Sequence, residues 1–121
     1  MKKILLVEDD KFTSDIYVQI LSGEFKVDTA EDGESAYKII TGTEYDLILL
    51  DMYLPIMDGK KLFEKLENDF PGKYKKKIVF ITNDDSEETV KYFKELKIDY
   101  LIKSTVNPQQ FFDKIKGYFT P

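Results

Sequence analysis

Residues 47–59 read LILLDMYLPIMDG: four branched apolar residues run straight into Asp51, and Pro55, Asp58 and Gly59 follow. A short apolar run without alternation is what a strand covered on both faces looks like. Ile4–Val7 (ILLV) and Ile78–Ile81 (IVFI) have the same character. Phe25–Thr29 differs, because Phe25, Val27 and Thr29 alternate with Lys26 and Asp28. That period fits a less buried edge strand. Tyr100–Ile102 completes the set.

Between these stretches the spacing turns helical. Phe12, Ile16 and Ile20 recur at every fourth position and predict the apolar face of a helix, as do Leu62, Leu66 and Phe70. Ala36, Ile39 and Ile40 form a smaller stripe closed by Gly42. Val90, Phe93 and Leu96 form another, opened by a capping region at Asp84, Asp85 and Ser86. Asn107 and Pro108 have the form of an N-cap and first helical residue. Phe111, Phe112, Ile115, Tyr118 and Phe119 then share one face, mostly for the core. The alternation is (βα)₅, which predicts the α/β class: a doubly wound five-stranded parallel sheet with helices on both faces.

The totals bound the function. A chain of 121 residues suits one domain, 1–121, with no effector domain appended. Eighteen basic against 23 acidic residues leave a charge of −5, which argues against direct nucleic-acid binding. Without Cys there is no disulfide or thiolate site, and without His no imidazole chemistry. No stretch is long and apolar enough for a membrane span or a secretory signal, so a cytoplasmic location is expected.

The polar residues carry the functional signal. Glu8, Asp9 and Asp10 follow the first strand, Asp51 the third, Thr82 the fourth and Lys103 the fifth. In a doubly wound sheet the C-terminal strand ends share one edge, and ligands bind outside it. With strand order 2-1-3-4-5, the first and third strands are neighbours, so Glu8, Asp9 and Asp51 converge. Two unit charges about 4 Å apart repel by about 4 kcal/mol at an effective dielectric near 20. A divalent cation removes that conflict, and an all-oxygen donor set favours Mg²⁺, with Mn²⁺ as a substitute. A metal, the Lys103 ammonium and the Thr82 hydroxyl around one carboxylate are the parts that in-line phosphoryl transfer needs.

These residues resemble the receiver domains of two-component response regulators, of the chemotaxis-regulator kind. Residues 4–9, ILLVED, look like that family's first strand and acidic pair, and residues 51–59 like its phosphoacceptor segment. Residues 79–82, VFIT, and 100–103, YLIK, look like its fourth and fifth strand ends. The resemblance spans nearly the whole chain. It implies a flavodoxin-like three-layer sandwich of order 2-1-3-4-5. It implies that Asp51 accepts a phosphoryl group and that Asp9 ligates Mg²⁺ directly. Glu8 would act on the metal mainly through water, and the backbone carbonyl of Tyr53 would complete the ligand set. Thr82 and Tyr100 would be the switch pair, reshaping the face made by the fourth helix, fifth strand and fifth helix for a downstream protein. The donor would be a sensor histidine kinase or phosphotransfer protein. The chain would be a monomer or a phosphorylation-dependent dimer, and no enzyme beyond its own phosphorylation and dephosphorylation.

Two positions depart from the family pattern: Asn83 stands where Ala or Gly usually follows the Thr, and Ser104 where Pro usually follows the Lys. They motivate the alternative of a pseudo-receiver, an interaction module with this fold and no phosphoryl cycle. Blander readings apply elsewhere. Asp10 reads as an N-cap or a solvated charge, Asp58 and Gly59 as a turn and helix start, and Met57 as a packing residue.

Overall fold

Strands and helices alternate through the computed structural model, which describes residues 1–120. Their order is β1 (Lys3–Val7), α1 (Lys11–Leu21), β2 (Lys26–Ala30), α2 (Gly33–Gly42), β3 (Leu47–Asp51), α3 (Gly59–Asp69), β4 (Ile78–Thr82), α4 (Glu87–Leu96), β5 (Tyr100–Ile102) and α5 (Pro108–Gly117). All pairings are parallel, in the order β2-β1-β3-β4-β5. This is the doubly wound sheet that the sequence predicts.

Strand alternation divides the core into two layers. Leu5, Val7, Ile48, Leu50, Ile78 and Phe80 face α2, α3 and α4, where Ala36, Ile40, Leu62, Leu66 and Phe93 meet them. Ile4, Leu6, Leu47, Leu49, Val79 and Ile81 face α1 and α5, against Tyr17, Leu21, Phe111 and Ile115. The runs Ile4–Val7, Leu47–Leu50 and Ile78–Ile81 within β1, β3 and β4 are therefore apolar on every residue because both faces of these strands are covered. Polar caps start the helices: Asp10, Asp32, Asp58, Ser86 and Asn107 each accept from the backbone N–H three residues on.

Three expectations need correction. The α1 stripe of Phe12, Ile16 and Ile20 is not the main core face: Phe12 and Ile16 are exposed, Ile20 packs half-buried against the core, and the buried residues of the helix are Ser14, Tyr17 and Leu21. The true face is rotated by roughly a third of a turn. Tyr17 and Leu21 win because α5 offers them a partner, with Tyr17 stacked on Phe111 at 4.2 Å between ring centroids. In α4 the buried residues are Thr89 and Phe93, while Val90 and Leu96 are half-buried. The second strand starts one residue later than predicted. Phe25 precedes it and packs on Phe119, whereas Thr29 is exposed and Asp28 is half-buried, accepting from the Tyr45 hydroxyl at 2.8 Å.

Candidate functional site

The parallel register brings the acids together. Val7 lies opposite Leu50 in the β1–β3 ladder, so Glu8 and Asp51, each one residue further on, emerge side by side. Lys103 opens the turn that follows β5. Its Nζ donates to Glu8 Oε1 at 2.5 Å and to Asp51 Oδ2 at 2.8 Å. The other oxygens are also engaged, Glu8 Oε2 by the Asp10 N–H at 3.2 Å and Asp51 Oδ1 by the Tyr53 N–H at 3.3 Å. Glu8 is 2% exposed and Asp51 5%, while Asp9 stands at the rim in water.

Burial shifts the charges. It pushes the Glu8 carboxyl above its ordinary range; the Lys103 hydrogen bond pulls the other way, and the Asp51 charge adds to the rise. For Lys103, burial by itself would lower the ammonium. Its bonds to Asp51 and Glu8 more than offset that and hold it above its ordinary value.

Glu8, Asp9 and Asp51 each offer a carboxylate oxygen, and these atoms lie within 4.8 Å of one another. One ammonium against three acids leaves the pocket net negative, and every donor is a hard oxygen. The cluster could hold a metal ion, and its chemistry fits a hard divalent cation.

The loop beyond Asp51 is held by backbone contacts. The Met57 N–H donates to the Pro55 carbonyl at 2.7 Å, a γ-turn centred on Ile56. Ile56 has φ 68°, unusual for a β-branched residue, and its side chain is 77% exposed. Asp58 is the N-cap of α3, in line with the turn reading. Gly59 does more than start a helix, because a Cβ there would lie 2.0 Å from the Asp51 carbonyl oxygen. A Cβ on Gly33 would lie 1.9 Å from the Met57 carbonyl oxygen. Sequence reading missed Gly33. The Asp-Gly pair at residues 32–33 repeats the one at 58–59, which was the available signal, but nothing in the sequence says what either glycine touches.

The remaining predicted residues fall on the same edge or beside it. Thr82 is buried, and its Oγ1 accepts from the Asp84 N–H at 3.1 Å. Tyr100 is half-buried, packed on Phe93 with ring centroids 5.0 Å apart. The Tyr53 side chain is largely exposed, and its hydroxyl donates to Asp84. Sequence reading places Asp84 only in the capping region of the fourth helix and does not predict the bond from Tyr53. Asn83 is exposed, and the Lys103–Ser104 peptide is trans, so neither departure displaces Lys103 from the two acids.

A doubly wound (βα)₅ sheet with a lysine-bridged acid pair at its C-terminal edge defines the class as that of receiver-type α/β proteins. The match is family-wide: this chain belongs to the response regulator receiver domain family, whose model aligns with residues 4–116. It is thus a receiver domain of two-component systems, a family that signals by phosphorylation. It is 28% identical over 120 residues to the chemotaxis protein CheY of Halobacterium salinarum, covering 98% of both chains. It is 29% identical to the transcriptional regulatory protein CrdR of Helicobacter pylori and 26% identical to the probable C4-dicarboxylate response regulator DctR of Bacillus subtilis. The match covers 98% and 96% of this chain but only 55% and 53% of those proteins, so the chain spans about half their length. Among solved structures, the CheY-like receiver domain protein of Methanospirillum hungatei JF-1 superposes with a TM-score of 0.82 at 32% identity, over 98% of this chain and 93% of that one. No helix among the described residues is long and apolar enough to cross a membrane.

Proposed function

We propose that this chain is a phosphorylatable receiver in which Asp51 accepts a phosphoryl group from a phosphohistidine on a sensor histidine kinase or phosphotransfer protein. The observation that carries this reading is the Lys103 ammonium bonded at once to Asp51 and Glu8 in a pocket where a third acid, Asp9, converges. An Asp51 oxygen attacks phosphorus as the bond to the donor imidazole nitrogen breaks. Lys103 already sits on that carboxylate and can follow the negative charge onto the transferred oxygens. The Thr82 hydroxyl accepts from the Asp84 N–H, which leaves its proton free to donate to a phosphoryl oxygen. Glu8, Asp9, Asp51 and the Tyr53 carbonyl are the residues that would hold Mg²⁺ or Mn²⁺. Such an ion, when bound, neutralises charge on the phosphoryl oxygens.

Tyr100 would follow Thr82, altering its packing on Phe93 and so the face built from α4, β5 and α5, where a downstream protein docks. The chain itself catalyses nothing beyond its own phosphorylation and dephosphorylation, and the single receiver unit spans 1–121. The departures behind the pseudo-receiver alternative, Asn83 and Ser104, leave Lys103 on both acids, which favours the phosphorylatable reading.

The test is intact mass after incubation with Mg²⁺ and a small acyl phosphate. A labile phosphoryl adduct should form, and it should vanish in Asp51→Asn and in the presence of a chelator. Absence of an adduct with both small donors and purified histidine kinases would leave only the pseudo-receiver.

A further inference from the structure

Asp84 lies two residues beyond Thr82 in the loop leading to α4, and the phosphoryl-transfer chemistry makes no use of its carboxylate. Three donors nonetheless converge on it. The Tyr53 hydroxyl and the Thr89 hydroxyl both donate to Oδ2, the latter at 2.7 Å, and the Ser86 N–H donates to Oδ1 at 2.9 Å. With the Tyr53 hydroxyl foremost, they hold the carboxyl well below the usual carboxylate range, so it is an anion at neutral pH. The backbone N–H of the same residue donates to Thr82 Oγ1 at 3.1 Å.

One side chain therefore ties together three segments: the loop after β3 through Tyr53, the loop after β4 through its own backbone, and the first turn of α4 through Thr89. A cavity of about 230 Å³ borders this tie, with Tyr53, Asp84, Thr89 and Tyr92 in its wall. The side chains have room to rearrange into it without overpacking. The tie also has a direction. For the Thr82 hydroxyl to move toward a group on Asp51, it must leave the Asp84 N–H or carry that backbone with it. The backbone cannot follow while the carboxylate is held from both sides.

We propose that Asp84 is a positioning residue that restrains Thr82 in the unphosphorylated protein, and that releasing its bonds to Tyr53 and Thr89 links phosphorylation of Asp51 to movement of α4. This rests on the reading of Asp51 as phosphoacceptor. Asp84 touches neither the donor nor the reacting atoms; it acts through Thr82.

The experiment compares wild type with Tyr53→Phe, Thr89→Val, Asp84→Ala and Asp84→Asn. Two quantities are read on the intact chain: the rate of adduct formation from acetyl phosphate with Mg²⁺, and amide hydrogen exchange in the first turn of α4 without any phosphodonor. Tyr53→Phe and Thr89→Val each remove one hydroxyl donor and keep the carboxylate. Each should speed phosphorylation about threefold, the worth of one modest hydrogen bond, and should speed exchange at α4. Asp84→Ala should do at least as much. Asp84→Asn discards the charge and sets its amide NH2 against the Ser86 N–H, but it keeps one acceptor oxygen for both hydroxyls, so it should accelerate less than Asp84→Ala.

If Asn and Ala accelerate alike while the two hydroxyl deletions match wild type, the effect is charge repulsion and the restraint is refuted. A wild-type adduct that forms at one rate in every variant also refutes the restraint, and leaves Asp51 as phosphoacceptor intact. A wild type that takes no phosphoryl group from any donor fails the phosphoacceptor reading itself, and the restraint with it.

Discussion

The two ends of the sheet carry the same kinds of residue in opposite circumstances. Below the strands, Lys77 meets Glu44 at 3.1 Å and Lys114 meets Asp99 at 3.4 Å, with the Glu44 side chain 84% exposed. Above them, Lys103 meets Glu8 at 2.5 Å and Asp51 at 2.8 Å, with side-chain exposures of 1% and 7% for the acids. The upper contacts are shorter, and solvent divides the two sets further. At the lower end water replaces a lost partner, so each pair is worth little. At the upper end the two acids are almost wholly buried, so losing the lysine leaves their charges poorly solvated. The glycines divide similarly. Gly59 and Gly33 press on carbonyl oxygens beside the pocket, whereas Gly42 has open space around it.

The widest gap should appear between two lysine substitutions. Lys103→Met should destabilise the protein by about 3 kcal/mol by urea unfolding without divalent ions, and Lys77→Met by no more than about 0.5 kcal/mol. Equal losses would erase the distinction between the two ends.

A smaller contrast is expected from the glycines. Gly59→Ala forces the Asp51 backbone away from α3 and should lose about 2 kcal/mol. Gly42→Ala meets nothing and should be neutral or gain about 0.5 kcal/mol. A Gly59→Ala protein with wild-type stability would mean that the two backbones are not in contact.

The smallest contrast belongs to the lower end. The Tyr118 hydroxyl donates to Asp99 at 2.5 Å. Burial alone would raise the Asp99 carboxyl, but Tyr118, the Tyr100 N–H and Lys114 together hold it below its ordinary value. A depressed folded-state pKa contributes stability above the unfolded value of about 4, and that contribution is lost as pH falls through the folded value. Tyr118→Phe should therefore cost at most about 1 kcal/mol at pH 7, given the exposure of Asp99, and the difference from wild type should shrink below about pH 4. A difference that stays constant down to pH 3 would assign the role of Tyr118 to ring packing instead.

Much of the architecture was legible residue by residue. The runs ILLV, LILL and IVFI were readable because a doubly covered strand has no polar face to interrupt it. The positions of Glu8, Asp9, Asp51, Thr82 and Lys103 were readable because strand ends can be located from where those runs stop. The inward face of α1 was not. Phe12, Ile16 and Ile20 form as regular a stripe as Tyr17 and Leu21 do with Ser14, and the choice between them lay with Phe111 on α5, far away in the chain. The Tyr53–Asp84–Thr89 tie was invisible for the same reason, since its members belong to three different segments.

By itself, then, the sequence determined the order of strands and helices, their caps, and which acids and which lysine end up at one edge of the sheet. These follow from periodicity and from chemistry between near neighbours along the chain. Only the tertiary structure decided which of two amphipathic faces turned inward, which glycines had to lie against a carbonyl, and that one lysine would bridge two buried acids. Those outcomes depend on distances between segments remote in sequence, and local pattern does not encode such distances.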